Sequence, residues 1–514
     1  MKNNNVKINY PNLFQKSTRQ RMSPFPNYYS MECVSKEMKK CLGICYERTI
    51  LLIFKENLMY VFFDKKDSDK VEDYSFKKIM RNPLFFHKIV GFVDKAGKEF
   101  VDWAKKASKN PEKYTNKQLA NLQEEYEKKY KFVYSHYFTI LTVEGKLSSY
   151  LKEYLRSKIK DGKNCDDCFN ILITEPRAQV NGMENYAALK LAKKIVENKK
   201  WKSHFEGKSE NSEDLKKIEI LVKNDSKLNK LFENHEKSFF WITRDYEDPA
   251  LAYSDFVKRM LILLEKNPAS ELKKKKKYLE SAAKEIKKIE KKYKIDKKHS
   301  RLFSAMREGI HLKELRKAYV SQSLFYFESV SKEIAKRSDV SLRAIRHLKT
   351  DEVVQIFDNK KLQDELSERV KLSVYHTEKG KTEVCSGKRA EEIYNVLLKT
   401  DGENLTELKG FSASPGKAEG PVIIIMNPDE LYKVQKGDIL VTHQTVPSFG
   451  PVFKKIAGLV CDGGTGITSH PAIMSREAKI PCITGAKVAT QVLKNGEIVE
   501  LDAYKGILTR KKKA

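Results

Sequence analysis

Cys461-Asp-Gly-Gly-Thr-Gly-Ile-Thr-Ser-His470-Pro-Ala-Ile-Met-Ser-Arg476-Glu477 is the stretch that decides how the C-terminal part of this chain folds. A short β-branched run, Gly458 to Cys461, enters a loop with Gly463, Gly464 and Gly466, after which Pro471 to Lys479 reads as a helix. Glycine lets a backbone turn left-handed and approach an anion closely, and the free amides of a helix start carry partial positive charge. Pro471 suits the first helical position, where its missing N–H costs nothing, so Ser469 or His470 caps the helix and His470 stands at its mouth. An imidazole of ordinary pKa, about 6.5, is roughly three-quarters neutral at pH 7, and a helix start disfavours the cation further. The pattern therefore fits a phosphate seat with a nucleophilic ring nitrogen in it; a structural or metal-related histidine is the alternative these residues leave open. Gly466, Thr468 and Ser469 are the candidate phosphate-binding residues beside it. Arg476, nearly two turns on, either reaches back to the phosphoryl group or forms a surface ion pair.

Working outward, Val422 to Met426, Asp438 to Thr442, Cys482 to Thr484, Glu497 to Leu501 and Ile507 to Thr509 have strand length and composition. Together with the quoted stretch they predict a compact α/β domain of about 100 residues, 410–510. Thr400 to Lys409 is polar and irregular, a candidate linker. Upstream, apolar residues recur every three or four positions among Lys and Glu, which predicts a largely helical region. It divides into 1–230, of unknown role, and 231–399, a helical domain that holds a possible acceptor site. In the latter, Ser270 to Tyr293 and His299 to Arg337 are expected to pack as a helical hairpin. Leu372 to Ser386 turns β-like, and Lys388 to Leu398 returns to helix. The fold class is thus multidomain, α-helical first and α/β at the end.

The chain has 514 residues, 40% hydrophobic, enough for several packed cores. No apolar stretch approaches the roughly 20 residues that cross a bilayer, and the first thirty residues lack a signal-like apolar run, so a cytoplasmic location is expected. Lys plus Arg number 99 against 69 Asp plus Glu, a net charge of +30. The excess is mostly Lys dispersed along the whole chain, and Arg, suited to bidentate phosphate contacts, supplies only roughly a fifth of the basic residues, which argues against a placed nucleic-acid surface. Eight Cys in such a chain predict reduced thiols; Cys41, Cys45, Cys165 and Cys168 permit a zinc site on paper, but nothing in the sequence brings the pairs together, and no metal site is expected. Of the remaining histidines only His443, following a predicted strand, is a candidate to face the same cleft as His470.

Gly410-Phe-Ser-Ala-Ser-Pro-Gly416-Lys-Ala-Glu-Gly420-Pro-Val, Gly437-Asp-Ile-Leu-Val441, Thr468-Ser-His-Pro-Ala-Ile-Met-Ser-Arg-Glu477, Ile480-Pro481 and Gly485 occur in order. In order and spacing they resemble the mobile phosphohistidine domain of the phosphoenolpyruvate-utilising enzymes. The resemblance implies a swivelling domain of β/β/α type with His470 as the phosphorylated residue. One departure is visible: the family's Gly-Gly pair ends four residues before the His, whereas this chain has Thr465-Gly466 there and its pair at Gly463-Gly464. The family's Asp, seven before the His, falls on Gly463, with Asp462 one step further away. More diffusely, residues 239–357 resemble the helical middle part of the synthases and rifampicin phosphotransferases, and Trp241, Arg244 and Tyr246 are candidate pocket residues, with packing the competing reading.

Relatives charge the histidine from ATP on an ATP-grasp domain or from phosphoenolpyruvate on a (β/α)8 barrel, and neither pattern is legible here. The expectation is a phosphotransferase component: His470 is charged at a separate ATP-grasp polypeptide holding ATP and Mg2+, and a small-molecule acceptor is served in turn. A regulatory protein that keeps the domain without the chemistry is the alternative.

Overall fold

The computed structural model describes residues 10–20, 22–55, 58–176, 180–242, 250–398, 405–426, 428–445, 447–463 and 469–511. The chain divides into two compact units: Glu37–Cys45 with Lys70–Arg337, and Met1–Lys36 with Tyr46–Asp69 and Ser338–Ala514.

The first unit is helical. The helices Phe85–Ala107, Asn116–Leu141 and Lys297–Arg337 pack on one another. Their seam is aromatic, with the Tyr126 ring 4.4 Å from Phe327 and 5.0 Å from Phe100. A Cβ on Gly97 would come within 2.0 Å of the Tyr319 ring, so glycine sets how closely Phe85–Ala107 approaches Lys297–Arg337. The two helices expected to pair as a hairpin both form, but with other partners. Pro268–Lys292 lies against Val180–Glu197 and Gly162–Ile173, while Lys297–Arg337 lies mainly against Phe85–Ala107 and Asn116–Leu141. Its buried residues, from Leu302 to Ala335, wrap much of its circumference, and a single lysine-rich partner with a narrow apolar stripe leaves most of that surface wet.

The second unit contains two sheets. The first consists of β1 (Leu13–Gln20), β2 (Ile50–Lys55), β3 (Leu58–Asp64), β4 (Leu372–Glu378) and β5 (Lys381–Ser386), all antiparallel in the order β1-β3-β2-β4-β5. β4 and β5 were legible as strands; β1 to β3, inside a region read as helical, were not. The β4–β5 turn uses Lys379 and Gly380, both at positive φ (49° and 77°), which matches the twist of a two-residue hairpin. One face of this sheet packs Leu51, Ile53, Tyr60, Phe62 and Val374 against Ala390 and Ile393 of the helix Gly387–Leu398.

Beyond the other face, Arg369 of the helix Lys360–Lys371 is 2% exposed. It donates to both Glu352 carboxylate oxygens, at 2.7 and 2.8 Å, and to Glu365 at 2.8 and 3.0 Å. Next to it His347 is buried, and burial, then the neighbouring Arg343 and Arg369 charges, push its pKa down to about 3. An unfolded chain takes up a proton at this residue below about pH 6.5, and the folded chain does not until about 3. The contribution is therefore complete above pH 6.5 and lost as acid is added. Urea unfolding at pH 7 and pH 4.5 should show His347 costing roughly 2 to 3 kcal/mol of stability over that interval, and His347→Gln should remove that share of the slope.

The C-terminal sheet is built from β6 (Glu407–Lys409), β7 (Phe411–Ser414), β8 (Lys417–Ile424), β9 (Ile439–Thr442), β10 (Gly458–Cys461), β11 (Cys482–Thr484), β12 (Ile498–Asp502) and β13 (Ile507–Arg510). Its order is β6-β13-β12-β8-β9-β10-β11-β7, with β8 to β11 mutually parallel and the other pairings antiparallel. A C-terminal sheet with a covering helix is thus present, within the second of the two compact units. Glu407–Lys409, expected in the linker, is an edge strand, and residues 399–404 of that segment and its border lie outside the described residues. Side chains alternate between two cores. Ile439, Val441, Val460 and Ile483 enter one, and Leu440, Leu459, Cys461 and Cys482 enter the other, which is covered by the helix His470–Ala478 through Ala472. Gly420 is needed for close packing, since a Cβ there would sit 2.3 Å from the Gly437 carbonyl oxygen. Among the described residues no helix is long and apolar enough to cross a membrane.

Candidate active site

Parallel strands end together. Thr442, Cys461 and Thr484 close β9, β10 and β11 and are register partners, so their side chains share the face on which the helix His470–Ala478 lies. The outer rim beyond the carboxyl ends of parallel strands is where open α/β sheets bind ligands. His470 is the first residue of that helix, Ser469 its cap and Pro471 its second residue, as the sequence predicts. Ser469 has an extended backbone (φ −68°, ψ 151°), yet its hydroxyl accepts no hydrogen bond from the first turn. That oxygen is buried without a partner among the described residues, as are Thr442 Oγ1 and Thr484 Oγ1.

Arg476 points toward the opposite edge: its Nη1 donates to the Ala413 carbonyl on β7 at 3.2 Å. Gly466 and Thr468 lie outside the described residues, as do Arg244 and Tyr246. Trp241 is 6% exposed, its indole N–H donates to the Ser238 carbonyl at 2.9 Å, and it packs with Phe240 and Ala318, the arrangement of a core residue.

On the other face of the sheet the structure assembles a group the sequence did not announce. His443 follows β9 and Asp462 follows β10; both are buried, with His443 Nδ1 2.9 Å from Asp462 Oδ2. Thr490 donates its hydroxyl to the same carboxylate, and its amide lies 3.3 Å from Oδ1. Backbone bonds extend the anchor: Gly463 N–H donates to the His443 carbonyl at 2.9 Å, and Gly485 N–H donates to the Gly463 carbonyl at 3.0 Å. The residue at which the glycine-rich stretch begins is therefore clamped from two strands. His443 was a candidate to face the His470 cleft but lies on the opposite face of the sheet, and Thr490 lies 28 residues from Asp462 with no local signal joining them.

The thiols here are inert acids. Burial, followed by the Cys482 and Asp462 neighbours, pushes Cys461 well above the usual thiol range, and burial pushes Cys482 up to about 12. Peptide mapping after iodoacetamide treatment should find both residues unmodified in the native chain and fully alkylated in denaturant. Elsewhere Cys41 is raised to about 11 by burial, and Cys165 and Cys168 are raised for the same reason. Among the described residues no three His, Cys, Asp or Glu are grouped as a metal site.

Comparison with known proteins fits this geometry. Residues 434–506 match the family described as PEP-utilising enzyme, mobile domain. A probable phosphoenolpyruvate synthase of Archaeoglobus fulgidus is 48% identical over 121 residues, 24% of this chain and 15% of the relative. Phosphoenolpyruvate synthase of Pyrococcus furiosus is 39% identical over 138 residues, 26% of this chain and 17% of the relative. An uncharacterized phosphotransferase of Bacillus subtilis, YvkC, is 36% identical over 122 residues, 24% and 15% of the two chains. The matched segment thus spans about a sixth of the length of these curated relatives. What these comparisons show is a likeness confined to the C-terminal part: residues 434–506 are similar to the mobile domain of the phosphoenolpyruvate-utilising enzymes.

Proposed function

We propose that the chain is the phosphoryl-carrying component of a phosphotransferase, with His470 as the carrier. The observation that supports this most directly is the position of His470 at the first residue of a helix that starts at the carboxyl edge of parallel strands, inside the matched segment. A neutral ring nitrogen attacks the phosphorus of the donor; the N–P bond forms as the donor P–O bond breaks, and the leaving group departs with the electron pair. Transfer onward reverses the roles: an acceptor oxygen attacks, and the imidazole leaves. The donor in this reading is ATP with Mg2+ on a separate ATP-grasp polypeptide, in a dikinase-like reaction, and the acceptor is a small molecule. The C-terminal domain swivels between the two sites, because direct in-line transfer needs reacting atoms about 3 to 3.5 Å apart and two distant sites must be visited in turn.

The test is labelling of the full chain by ATP carrying label in all its phosphates, with a candidate ATP-grasp protein, or by labelled phosphoenolpyruvate. The expected product is an acid-labile, alkali-stable adduct approaching one per chain. No adduct from either donor, with a partner shown to be active, overturns the reading.

A further inference from the structure

Buried hydroxyls are almost always hydrogen-bonded, so each exception calls for a reason. Thr442 and Thr484 are both 0% exposed, and neither Oγ1 has a partner among the described residues. They flank Cys461 in register, on the sheet face covered by the His470–Ala478 helix, at the ends of strands whose preceding residues on that face, Leu440, Leu459 and Cys482, form an apolar core with Ala472. Ala472 stands in the first turn of that helix, and Ser469, its cap, leaves the turn uncapped while its own hydroxyl is also unpartnered. Of these three unpartnered hydroxyls, one caps the helix and two close strands on the face that the helix covers, and the partial positive charge of a helix start favours an anion. A valine has nearly the shape of threonine and strand propensity at least as good, so packing alone does not call for threonine at either strand end.

We infer that Thr442 and Thr484 are positioning residues that donate hydrogen bonds to the non-bridging oxygens of a phosphoryl group held at His470. The inference rests on the phosphohistidine reading above. Their hydroxyls are unsatisfied in the unloaded chain and satisfied in the loaded one, so their binding energy is released only when the anion arrives. No bond is made or broken at either threonine. Cys461, between them, remains a neutral thiol and adds no opposing charge.

Thr442→Val and Thr484→Val, each in the full chain, test this with the labelled donor that charges the wild-type protein. Each variant should unfold at the same temperature as wild type or higher, because an unpartnered hydroxyl is removed. Each should form the adduct about ten- to a hundredfold more slowly, as expected for a lost hydrogen bond to a charged group. The phosphorus NMR resonance of the adduct should also move. Thr442→Ser and Thr484→Ser, which keep the hydroxyl, should restore the rate. Wild-type labelling with undiminished valine variants overturns this inference and spares the carrier reading. Valine variants that melt lower or fail to fold assign the hydroxyls to structure and also overturn it. Absence of label in wild type removes both.

Discussion

Alanine at position 470 abolishes phosphoryl labelling while the chain stays folded. The expected drop exceeds about three orders of magnitude, the scale on which enzymes lose turnover when a covalent nucleophile is removed. The fold should tolerate the change because residue 470 begins a nine-residue helix, where alanine is a good helix former. The first turn stays pinned without it, since Ile473 N–H donates to the Ser469 carbonyl at 3.0 Å and Ala472 packs in the core beneath. The chemistry of the adduct separates His470 from its hydroxyl neighbours: a P–N bond hydrolyses in acid, whereas a phosphoester on Thr468 or Ser469 survives it. Thermal melting beside acid- and base-treated labelling reads both points. An acid-stable label in the alanine variant moves the acceptor to a hydroxyl and ends the histidine assignment.

The second large effect concerns stability. Arg369→Met should destabilise the chain by about 3 to 5 kcal/mol, the cost of leaving buried charge without its partner. Burial works against the guanidinium charge, but the hydrogen bonds and charge of Glu352, then Glu365, more than offset it and hold the group charged. Removing it strands the Glu352 carboxylate, 15% exposed as a side chain, and deprives the His347 carbonyl of a donor at 3.3 Å. Tyr375, whose hydroxyl donates to that same carbonyl at 2.5 Å, supplies only part of what is lost. Replacing Glu352 with Gln at the same time should recover some of the stability, since the uncompensated charge is then absent. Equilibrium unfolding of the two single variants and the double variant gives the coupling. A loss below 1 kcal/mol for Arg369→Met shows that the ion pair contributes little more than a surface pair.

How much of this was legible depends on whether the signal is local. In the C-terminal domain each strand is a short β-branched run between glycines, and Gly458–Cys461 and Cys482–Thr484 coincide with their predicted bounds. The helix at His470 was legible because proline and a capping serine act within one turn. Strands β1 to β3 were not, because Ile50–Lys55 and Leu58–Asp64 are continuously apolar, buried on both sheet faces, and so lack the alternation that marks a half-exposed strand. β2 also pairs with β4, more than 300 residues away in sequence, and a pairing at that distance leaves no periodicity behind. The same holds within the site. His470 and Ser469 share one short segment, whereas Thr442 and Thr484 reach the face covered by that helix only through strand order and register. Trp241, for which the sequence left pocket and packing readings open, has its indole N–H committed to the Ser238 carbonyl, as packing requires.

The edge strands of the C-terminal sheet carry one more consequence. β6 opens the domain and β13 ends its last hairpin, and the two pair antiparallel, Ile507 opposite Lys409. Entry and exit therefore sit side by side on one seam, so the segment between them is a cassette that can be spliced into or out of a host polypeptide without stretching either junction. A protein engineer could graft this segment by that seam.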